Sequence, residues 1–429
     1  MSFFSKVKKV TYPKSAPASN ALKTWCLCGF RDLSFLDFQK KSEVVLMGWD
    51  KVIFDSLDYE FLRLAGISRY IPTGLCRRYD SPIFSKRVIY NLLLHRLIKI
   101  MNDKRSYKLT VLGRECLAEM GDEFCRDARS DIKKTAYEKK LRNAQWNVLL
   151  TVAGIDIYCE DAKELAEKDC RYMSSFMLRT ERTVKVLAGA RFLGILKLAD
   201  TAYVPYYVED ENSWVLPHFE REMYESQIKR IGNIKNIKLI LIGESLEELW
   251  TNLNGKSGER LPNGRKTFRV MLEEFPIEHS LIPFGRDGVM QISLMKIWRY
   301  RERIAEAMGC KKEERLPECD GVKDGTPYII AFDCNEKRIV RAIKQVERYN
   351  KDVVPRVCCL PFQKSTIIKM IKKNHLKRTI LTPIPYIELY KVFPELEKEY
   401  ENKPYIKEGE YVEVRELWLT KAERENIPD

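Results

Sequence analysis

Side chains that could bind a polyanion are concentrated between residues 85 and 108. Polar groups on the exposed face of a predicted helix can reach base edges in a groove of DNA, and those expected to do so are Ser85, Lys86 and Tyr90. Cations in the same segment can meet phosphates, and these are Arg87, Lys104, Arg105 and Lys108. The chemistry that this pattern favours is binding rather than catalysis.

A metal-dependent nuclease is the main enzymatic alternative, and it depends on acids in the segment 190–245. The predicted order of elements there is that of a restriction-nuclease-like core, which holds Mg²⁺ through an acid on one strand and a Glu-x-Lys on the next. Asp200 stands in a predicted turn, but the strand TAYVPYYV (201–208) contains no Glu-x-Lys. The other acids follow the strand or lie on the next helix: Glu209, Asp210, Glu220 and Glu222. We therefore expect a nuclease-like core without activity.

Other catalytic and metal-binding patterns are missing from the sequence. Gly255-Lys256-Ser257 resembles the end of a phosphate loop, but Trp250 stands where the first glycine would be required. The 12 cysteines include no Cys-x-x-Cys, so we expect buried or half-buried thiols rather than a zinc site. Asp333 ends a predicted strand and is expected to cap the following helix. We predict no cofactor, no metal and no catalytic residue.

The composition supports a nucleic-acid partner. Among 429 residues, 75 Lys and Arg exceed 61 Asp and Glu, which gives a formal net charge of +14. A basic excess of this size favours polyanionic partners. No apolar run reaches the roughly 18 residues that a membrane-spanning helix needs, and the N-terminus MSFFSKVKKV lacks the apolar core of a secretory signal. We therefore expect a cytoplasmic protein with no membrane partner.

The segment 51–125 has the element order of a winged helix-turn-helix. Apolar spacing predicts helices over 57–70, 73–79 and 83–101, and Ser81-Pro82 suits the start of the third helix. A polar turn at 102–106 precedes a short strand over 107–110. Thr110 is placed to cap a closing helix over 111–121. A helix with one basic face fits the major groove of DNA, although the same order of elements also serves protein docking.

The remaining chain is predicted to form basic connecting segments and two α/β regions. We expect a basic arm and lead-in over 1–50 and a linker helix over 126–160, whose basic excess would extend a DNA-binding surface. A nuclease-like α/β domain is predicted over 161–256 and a second α/β unit over 257–429. Within the second unit, 267–275 and 288–295 are predicted as strands, and a second basic cluster is formed by Lys364, Lys369, Lys372, Lys373, Lys377 and Arg378. The expected fold class is α+β and multidomain, with a mixed-sheet α/β region after the winged helix.

Four stretches resemble the replication-relaxation family of plasmids and integrative or conjugative elements. They are YKLTVLGRECL (107–117), LRNAQWNVLLTVAGIDIY (141–158) and the strand pair RFLGILKLADTAYVPYYV (191–208), followed by IKLILIGES (237–245). The resemblance implies a DNA-binding accessory protein that acts in replication, relaxation or transfer of a mobile element. Its implied partners are double-stranded DNA, a relaxase or another mobile-element protein, and a second copy in a homodimer. The alternatives are the nuclease described above and a scaffold that docks proteins only.

Overall fold

The computed structural model describes most of the chain between residues 45 and 396. The described residues are 45–47, 50–52, 56–79, 81–119, 121–122, 134–181, 187, 189–229, 231–255, 261, 264–275, 277–376 and 378–396. Almost all of the predicted basic arm and lead-in, 1–50, lies outside them. Within the described part, no helix is both long enough and apolar enough to cross a membrane.

The chain divides into two compact units, and each is described separately. Among the described residues, the first unit runs from 45 to 148 and the second from 149 to 396. The expected boundary at 256/257 is wrong, because a strand over His279–Pro283 completes the sheet that begins before it. The expected coarse fold class, α+β with helices and several sheets, is confirmed.

Helices and short strands alternate in the first unit. Its strands are β1 (Val45–Met47), β2 (Asp50–Val52), β3 (Ile71–Pro72), β4 (Ile98–Ile100) and β5 (Ser106–Leu109). Its helices are α1 (Ser56–Ser68), α2 (Leu75–Tyr79), α3 (Lys86–Leu94) and α4 (Val111–Glu119), followed by α5 (Lys134–Val152), which continues into the second unit. Strands β3, β5 and β4 form an antiparallel sheet in that order.

The predicted helix over 83–101 is wrong at both ends. Residues Pro82–Phe84 form a separate 3₁₀ turn. Helix α3 stops at Leu94 because Arg96 adopts a left-handed φ of 54° and the Leu97 amide donates to the Leu92 carbonyl, which closes the last turn. The apolar residues that follow pair as strand β4 instead of continuing the helix. The polar turn at 102–106 therefore joins two strands of one hairpin.

A small aromatic core and one close backbone contact hold the first unit together. Phe61 of α1 meets Phe84 edge to face at 6.0 Å and Tyr107 of β5 at 6.2 Å. Thr110 caps α4 as predicted, since its hydroxyl accepts from the Gly113 amide at 3.0 Å. A Cβ at Gly113 would lie 2.1 Å from the Leu97 carbonyl oxygen, so the glycine of YKLTVLG is required by the approach of helix to hairpin.

The second unit contains a five-stranded and a four-stranded sheet. The larger sheet has the order β12-β10-β8-β7-β6, in which β7 is antiparallel to its two neighbours and β8, β10 and β12 are parallel. Its strands are β6 (Arg171–Ser174), β7 (Gly194–Leu198), β8 (Thr201–Tyr207), β10 (Asn236–Gly243) and β12 (His279–Pro283). A separate two-stranded ribbon pairs β9 (Trp214–Val215) with β11 (Lys266–Thr267).

The smaller sheet has parallel strands joined by helices. Its order is β13-β14-β15-β16, with only β13 antiparallel, and its strands are β13 (Gly321–Lys323), β14 (Thr326–Ile330), β15 (Arg356–Cys359) and β16 (Ile380–Pro383). Helices of this unit are α6 (Ala162–Glu167), α7 (Ser175–Glu181), α8 (Pro217–Glu222), α9 (Leu246–Asn254), α10 (Phe268–Glu274), α11 (Arg286–Met295), α12 (Tyr300–Ala307), α13 (Glu336–Tyr349), α14 (Lys364–Lys373) and α15 (Tyr386–Val392). A π-helical turn, Met223–Ile228, follows α8. Both sheets contribute to one hydrophobic core.

Two predicted strands of the second unit are helices. Residues 267–275 form mainly α10 and residues 288–295 belong to α11. Every residue of 288–295 is buried, so this helix has no polar face and its apolar run could not be told from a strand by pattern. The strand that the pattern missed, β12, is also buried throughout and lies between the two.

Candidate nucleic-acid interface

Helix α3 carries the four residues predicted on or beside its polar face. Ser85 is its N-cap, and the Ser85 hydroxyl accepts from the Val88 amide at 3.4 Å, so this oxygen stabilises the helix start. Lys86 is exposed, and Arg87 and Tyr90 are half-buried. The structure thus leaves one fully exposed cation and two partly exposed groups on a nine-residue helix.

The turn between β4 and β5 presents Lys104 and Arg105 to solvent. Lys104 has a left-handed φ of 56°, and its carbonyl accepts from the Thr73 hydroxyl at 3.1 Å. The Arg105 guanidinium donates to both carboxylate oxygens of Glu138, at 2.5 and 3.0 Å. This charge-assisted pair raises the pKa of Arg105 and offsets its charge. Of the two predicted phosphate contacts in this turn, Lys104 is the one whose side chain forms no ion pair among the described residues.

Lys108 lies on one face of the sheet rather than at the turn. It stands directly opposite Lys99 in the β4–β5 register. Lys108 is 9% exposed as a whole, and its ammonium lies 5.6 Å from the centre of the Tyr70 ring. Like charges directly opposite on neighbouring strands destabilise a sheet. The Lys99–Lys108 pair therefore does not stabilise the sheet.

More cations surround this lysine pair, and together we call them the sheet cluster. Its members are Arg69, Lys99, Lys108, Arg114 and Lys140. Burial lowers the pKa of Lys108, and Lys99, Arg114 and Arg69 lower it further. Burial also lowers the pKa of Lys140, with added repulsion from Arg69 and Lys108. Among the described residues, Lys99, Lys108, Arg114 and Lys140 form no ion pair.

The sheet cluster is held in place by contacts from α5. Tyr137 packs edge to face on Tyr70 with the ring centres 4.9 Å apart, and its hydroxyl lies 2.7 Å from the Ser106 hydroxyl. Lys140 is one turn further along the same helix. Fixed, mutually repelling cations without carboxylate partners lower their energy when a polyanion neutralises them. The arrangement can thus bind phosphates.

Two of the six cations in the second predicted basic cluster pair with carboxylates within the second unit. Lys369 pairs with Glu247 at 2.5 Å, and Lys373 pairs with Glu336 at 3.1 Å. Arg378 donates to the Lys351 carbonyl at 3.1 Å. Lys377 lies outside the described residues. These contacts make α14 a poorer candidate for phosphate binding than the sheet cluster.

The acids singled out for catalysis have structural partners. The Asp200 carbonyl accepts from the Lys235 and Asn236 amides, and its carboxylate lies 3.7 Å from the Lys235 ammonium. The expectation that Asp333 caps α13 is wrong, because the cap is Asn335, which accepts from the Arg338 amide. Within the described part of the chain, no three or more His, Cys, Asp or Glu side chains are grouped as metal ligands. The cysteines whose side chains are described are free thiols, buried or half-buried: Cys116, Cys159, Cys170, Cys310, Cys319, Cys334, Cys358 and Cys359.

The Asp333 carboxylate instead joins a buried ionic network. It lies 2.5 Å from Arg301 and 3.5 Å from Arg338, and Arg338 also contacts Asp320 at 3.2 Å. Burial alone would disfavour the charged carboxylate, but Arg301 and Arg338 together hold the pKa of Asp333 below its usual value. This network is charge-balanced, because two arginines face two aspartates.

Comparison with known proteins adds no family assignment. No protein-family model, no curated protein and no solved structure matches the chain. The resemblance to the replication-relaxation family therefore stays a prediction, and the site residues of the first unit are those that its own geometry brings together.

Proposed function

We propose that the chain is a DNA-binding protein whose first unit is a winged helix. The observation that carries this proposal is the sheet cluster, in which four cations form no ion pair among the described residues: the cross-strand pair Lys99 and Lys108, with Arg114 and Lys140. The phosphates of duplex DNA supply the missing negative charge. The basic excess of the whole chain agrees with such a partner.

The order of elements supports the winged-helix assignment. Helix α1, strand β3, helices α2 and α3, and the β4–β5 hairpin follow one another, and the three strands form one sheet in the order β3-β5-β4. In such a domain α3 enters the major groove, and the hairpin lies against the backbone. We infer that Lys86, Arg87 and Tyr90 reach the bases or their flanking phosphates. Lys104 then meets the backbone at the hairpin turn.

The wider role that we propose is that of an accessory protein in DNA processing by a mobile element. It rests on the family resemblance of the stretches 107–117, 141–158 and 191–245. Partner proteins such as a relaxase, or a second copy of the chain, would dock on the second unit. Under this proposal the protein contributes site recognition and no covalent chemistry.

A metal-dependent nuclease is the second candidate, and one observation favours it. The five strands of the larger sheet follow one another in chain order, with only the second strand reversed, as in a restriction-nuclease-like core. Against it, β8 carries Thr201, Ala202 and Tyr203 at its start and no Glu-x-Lys. Mg²⁺-dependent nicking that disappears in Asp200→Ala would favour this candidate over the accessory role.

Duplex binding across a salt series tests the proposal. We expect the full chain to bind duplex DNA tightly at low salt and to lose affinity steeply as salt rises. The triple variant Lys99→Gln, Lys108→Gln, Lys140→Gln should flatten the slope of log affinity against log salt by about two to three units. Its thermal midpoint should not fall, because the variant removes repulsion.

A matched variant separates local from overall charge. Lys312→Gln, Lys344→Gln, Lys351→Gln removes the same charge from exposed positions of the second unit and should leave the slope nearly unchanged. If both triple variants bind alike, the sheet cluster is not the contact surface. If the wild type fails to bind duplexes at low salt, the DNA-binding proposal is wrong and the first unit is a protein-docking module. Selection from random duplexes would then define the preferred sequence for a protein that does bind.

A further inference from the structure

We propose that the second unit contains a separate phosphate-binding site, formed by Arg191, Trp214 and Arg265. The guanidinium carbon of Arg191 lies 3.2 Å from the centre of the Trp214 ring, and that of Arg265 lies 3.8 Å from it. Two guanidinium groups at these distances would overlap on one face of the indole. They must therefore cover opposite faces, with Trp214 between them. We call this arrangement the arginine–tryptophan sandwich.

The strand pairing places the three residues from distant parts of the sequence. Trp214 begins β9, and Arg265 directly precedes β11, whose Thr267 is paired with Trp214. Arg191 comes from the segment that leads into β7. Arg191 is exposed, while Trp214 and Arg265 are half-buried. Ligands in solution can therefore reach the edges of both guanidinium groups.

A buried network fixes the backbone at Arg191. The Arg191 amide donates to the Glu220 carboxylate at 2.8 Å, and the Tyr206 hydroxyl donates to the same carboxylate at 2.5 Å. The segment before Arg191 is held by Arg179, which donates to the Leu187 and Ala190 carbonyls at 2.7 and 2.8 Å. The position of the first arginine is thus set before any ligand binds, which reduces the entropy lost on binding.

No carboxylate of the described part of the chain forms an ion pair with the sandwich. Among the described residues, neither Arg191 nor Arg265 forms an ion pair. Burial lowers the pKa of Arg191, repulsion by Arg265 lowers it further, and Glu220 opposes both effects. Burial raises the pKa of Glu220 to about 7, so at neutral pH this acid carries only part of its charge. Asp210, in the turn before Trp214, accepts from Asn212 and Ser213 instead.

The geometry favours a phosphate over a stacked base. Both faces of the indole are already covered, so no base can stack on Trp214. The free groups are the N–H edges of two guanidinium ions, and such edges match the oxygens of a phosphate. The phosphate could come from a free nucleotide or from a nucleic-acid strand. In the second case the inference rests on the proposed function and adds a contact to it, and in either case the site should show no base preference.

Titration of the full chain with inorganic pyrophosphate and with a 5′-labelled oligothymidine strand tests the site. We expect both to bind, and Arg191→Gln, Arg265→Gln to weaken pyrophosphate binding at least tenfold. Arg269→Gln is the matched control, because this exposed arginine of the adjacent helix already pairs with Glu273 at 3.2 Å. Circular dichroism and the thermal midpoint check that the variants fold. The double variant Arg191→Lys, Arg265→Lys keeps the positive charges but loses the planar pair of N–H donors of each guanidinium. It should bind pyrophosphate with an affinity between those of the wild type and the glutamine variant.

The outcomes distinguish this site from the sheet cluster. The triple variant Lys99→Gln, Lys108→Gln, Lys140→Gln should bind pyrophosphate as tightly as the wild type. This holds even if neither the wild type nor the triple variant binds duplex DNA. If Arg191→Gln, Arg265→Gln loses the strand as well as pyrophosphate, the natural ligand is a strand. Loss of pyrophosphate alone points to a free nucleotide. Equal pyrophosphate binding by wild type and this double variant, or none by the wild type, would overturn the site.

Discussion

The positively charged side chains of the two units differ in whether carboxylates neutralise them. In the interior of the second unit, Arg301 and Arg338 surround Asp333, and Arg338 also contacts Asp320, so positive and negative groups are matched. On the sheet of the first unit, Lys99 faces Lys108 with no carboxylate partner for either among the described residues. Breaking a buried network of paired charges costs stability. A cluster of like charges without partners also lowers stability unless a ligand of opposite charge neutralises it.

The presence of a carboxylate partner, more than the type of residue, separates structural from functional charge. Lys369 and Lys373 lie in a run that is as basic as the hairpin of the first unit, yet each has a carboxylate partner. Arg105 likewise has Glu138. Removing a charge that has a carboxylate partner should lower stability or have very little effect. Removing a charge without such a partner should weaken ligand binding.

The largest effect is expected from breaking the matched network. Asp333→Asn should lower the free energy of unfolding by about 3–5 kcal/mol, because it removes the carboxylate that half-buried Arg301 and buried Arg338 share. Asp324→Asn is the control, since this exposed residue adopts a φ of 49° that asparagine tolerates, and it should change stability by less than about 0.5 kcal/mol. Urea unfolding of both variants measures the difference. Equal stabilities would mean that the network is not the structural element described here.

The next effect concerns Glu220, a buried acid that is only partly matched. Its pKa is about 7 in the folded protein against 4.5 in the unfolded chain, so the stability that it contributes is present below pH 4.5 and lost as pH rises through 7. Relative to wild type, Glu220→Gln should therefore gain about 2 kcal/mol of unfolding free energy between pH 5 and pH 8.

Urea unfolding of both proteins at the two pH values measures this gain. The comparison between proteins is needed because burial lowers the pKa of His279 to about 3, which makes the wild type lose stability toward acid by a separate route. His279 is common to both proteins and its contribution cancels. Parallel pH profiles of wild type and variant would contradict the assignment of Glu220.

The smallest effect separates two neighbouring cations of the hairpin turn. Lys104→Ala should weaken duplex binding about threefold to tenfold and reduce the salt slope by about one unit, because Lys104 has no competing partner among the described residues. Arg105→Ala should weaken binding less, since Glu138 already holds the guanidinium. Fluorescence anisotropy at several salt concentrations measures both. The reverse order of effects would place Arg105, rather than Lys104, on the phosphate.

Much of the first unit could be predicted from sequence because its signals are local. The apolar spacing predicted α1 and α2, and the cap at Thr110 predicted α4. The end of α3 was missed because the sequence gives no sign that the backbone of Arg96 is left-handed. The run LIKI (97–100) is also compatible with either a helix or a strand. Local pattern also failed for α11, where burial on all sides removes the periodicity.

The sites depend on contacts that no local pattern contains. Lys104 and Arg105 could be placed in a turn from sequence, but the pairing of Lys99 with Lys108 follows from strand register. The arrival of Lys140 from another helix follows from packing, as does the assembly of the arginine–tryptophan sandwich from three separate segments. A charge count finds the cations, and only the fold shows which of them lack a carboxylate.

The late position of β12 has a consequence for synthesis of the chain. Strand β10 ends at Gly243, but its parallel neighbour begins only at His279, after α9, the ribbon strand β11 and α10. During translation the edge of β10 stays unpaired until these residues have left the ribosome, and unpaired edges promote association between chains. A ribosome that pauses between residues 243 and 283 would therefore expose an aggregation-prone nascent chain, while one that pauses after 396 would not.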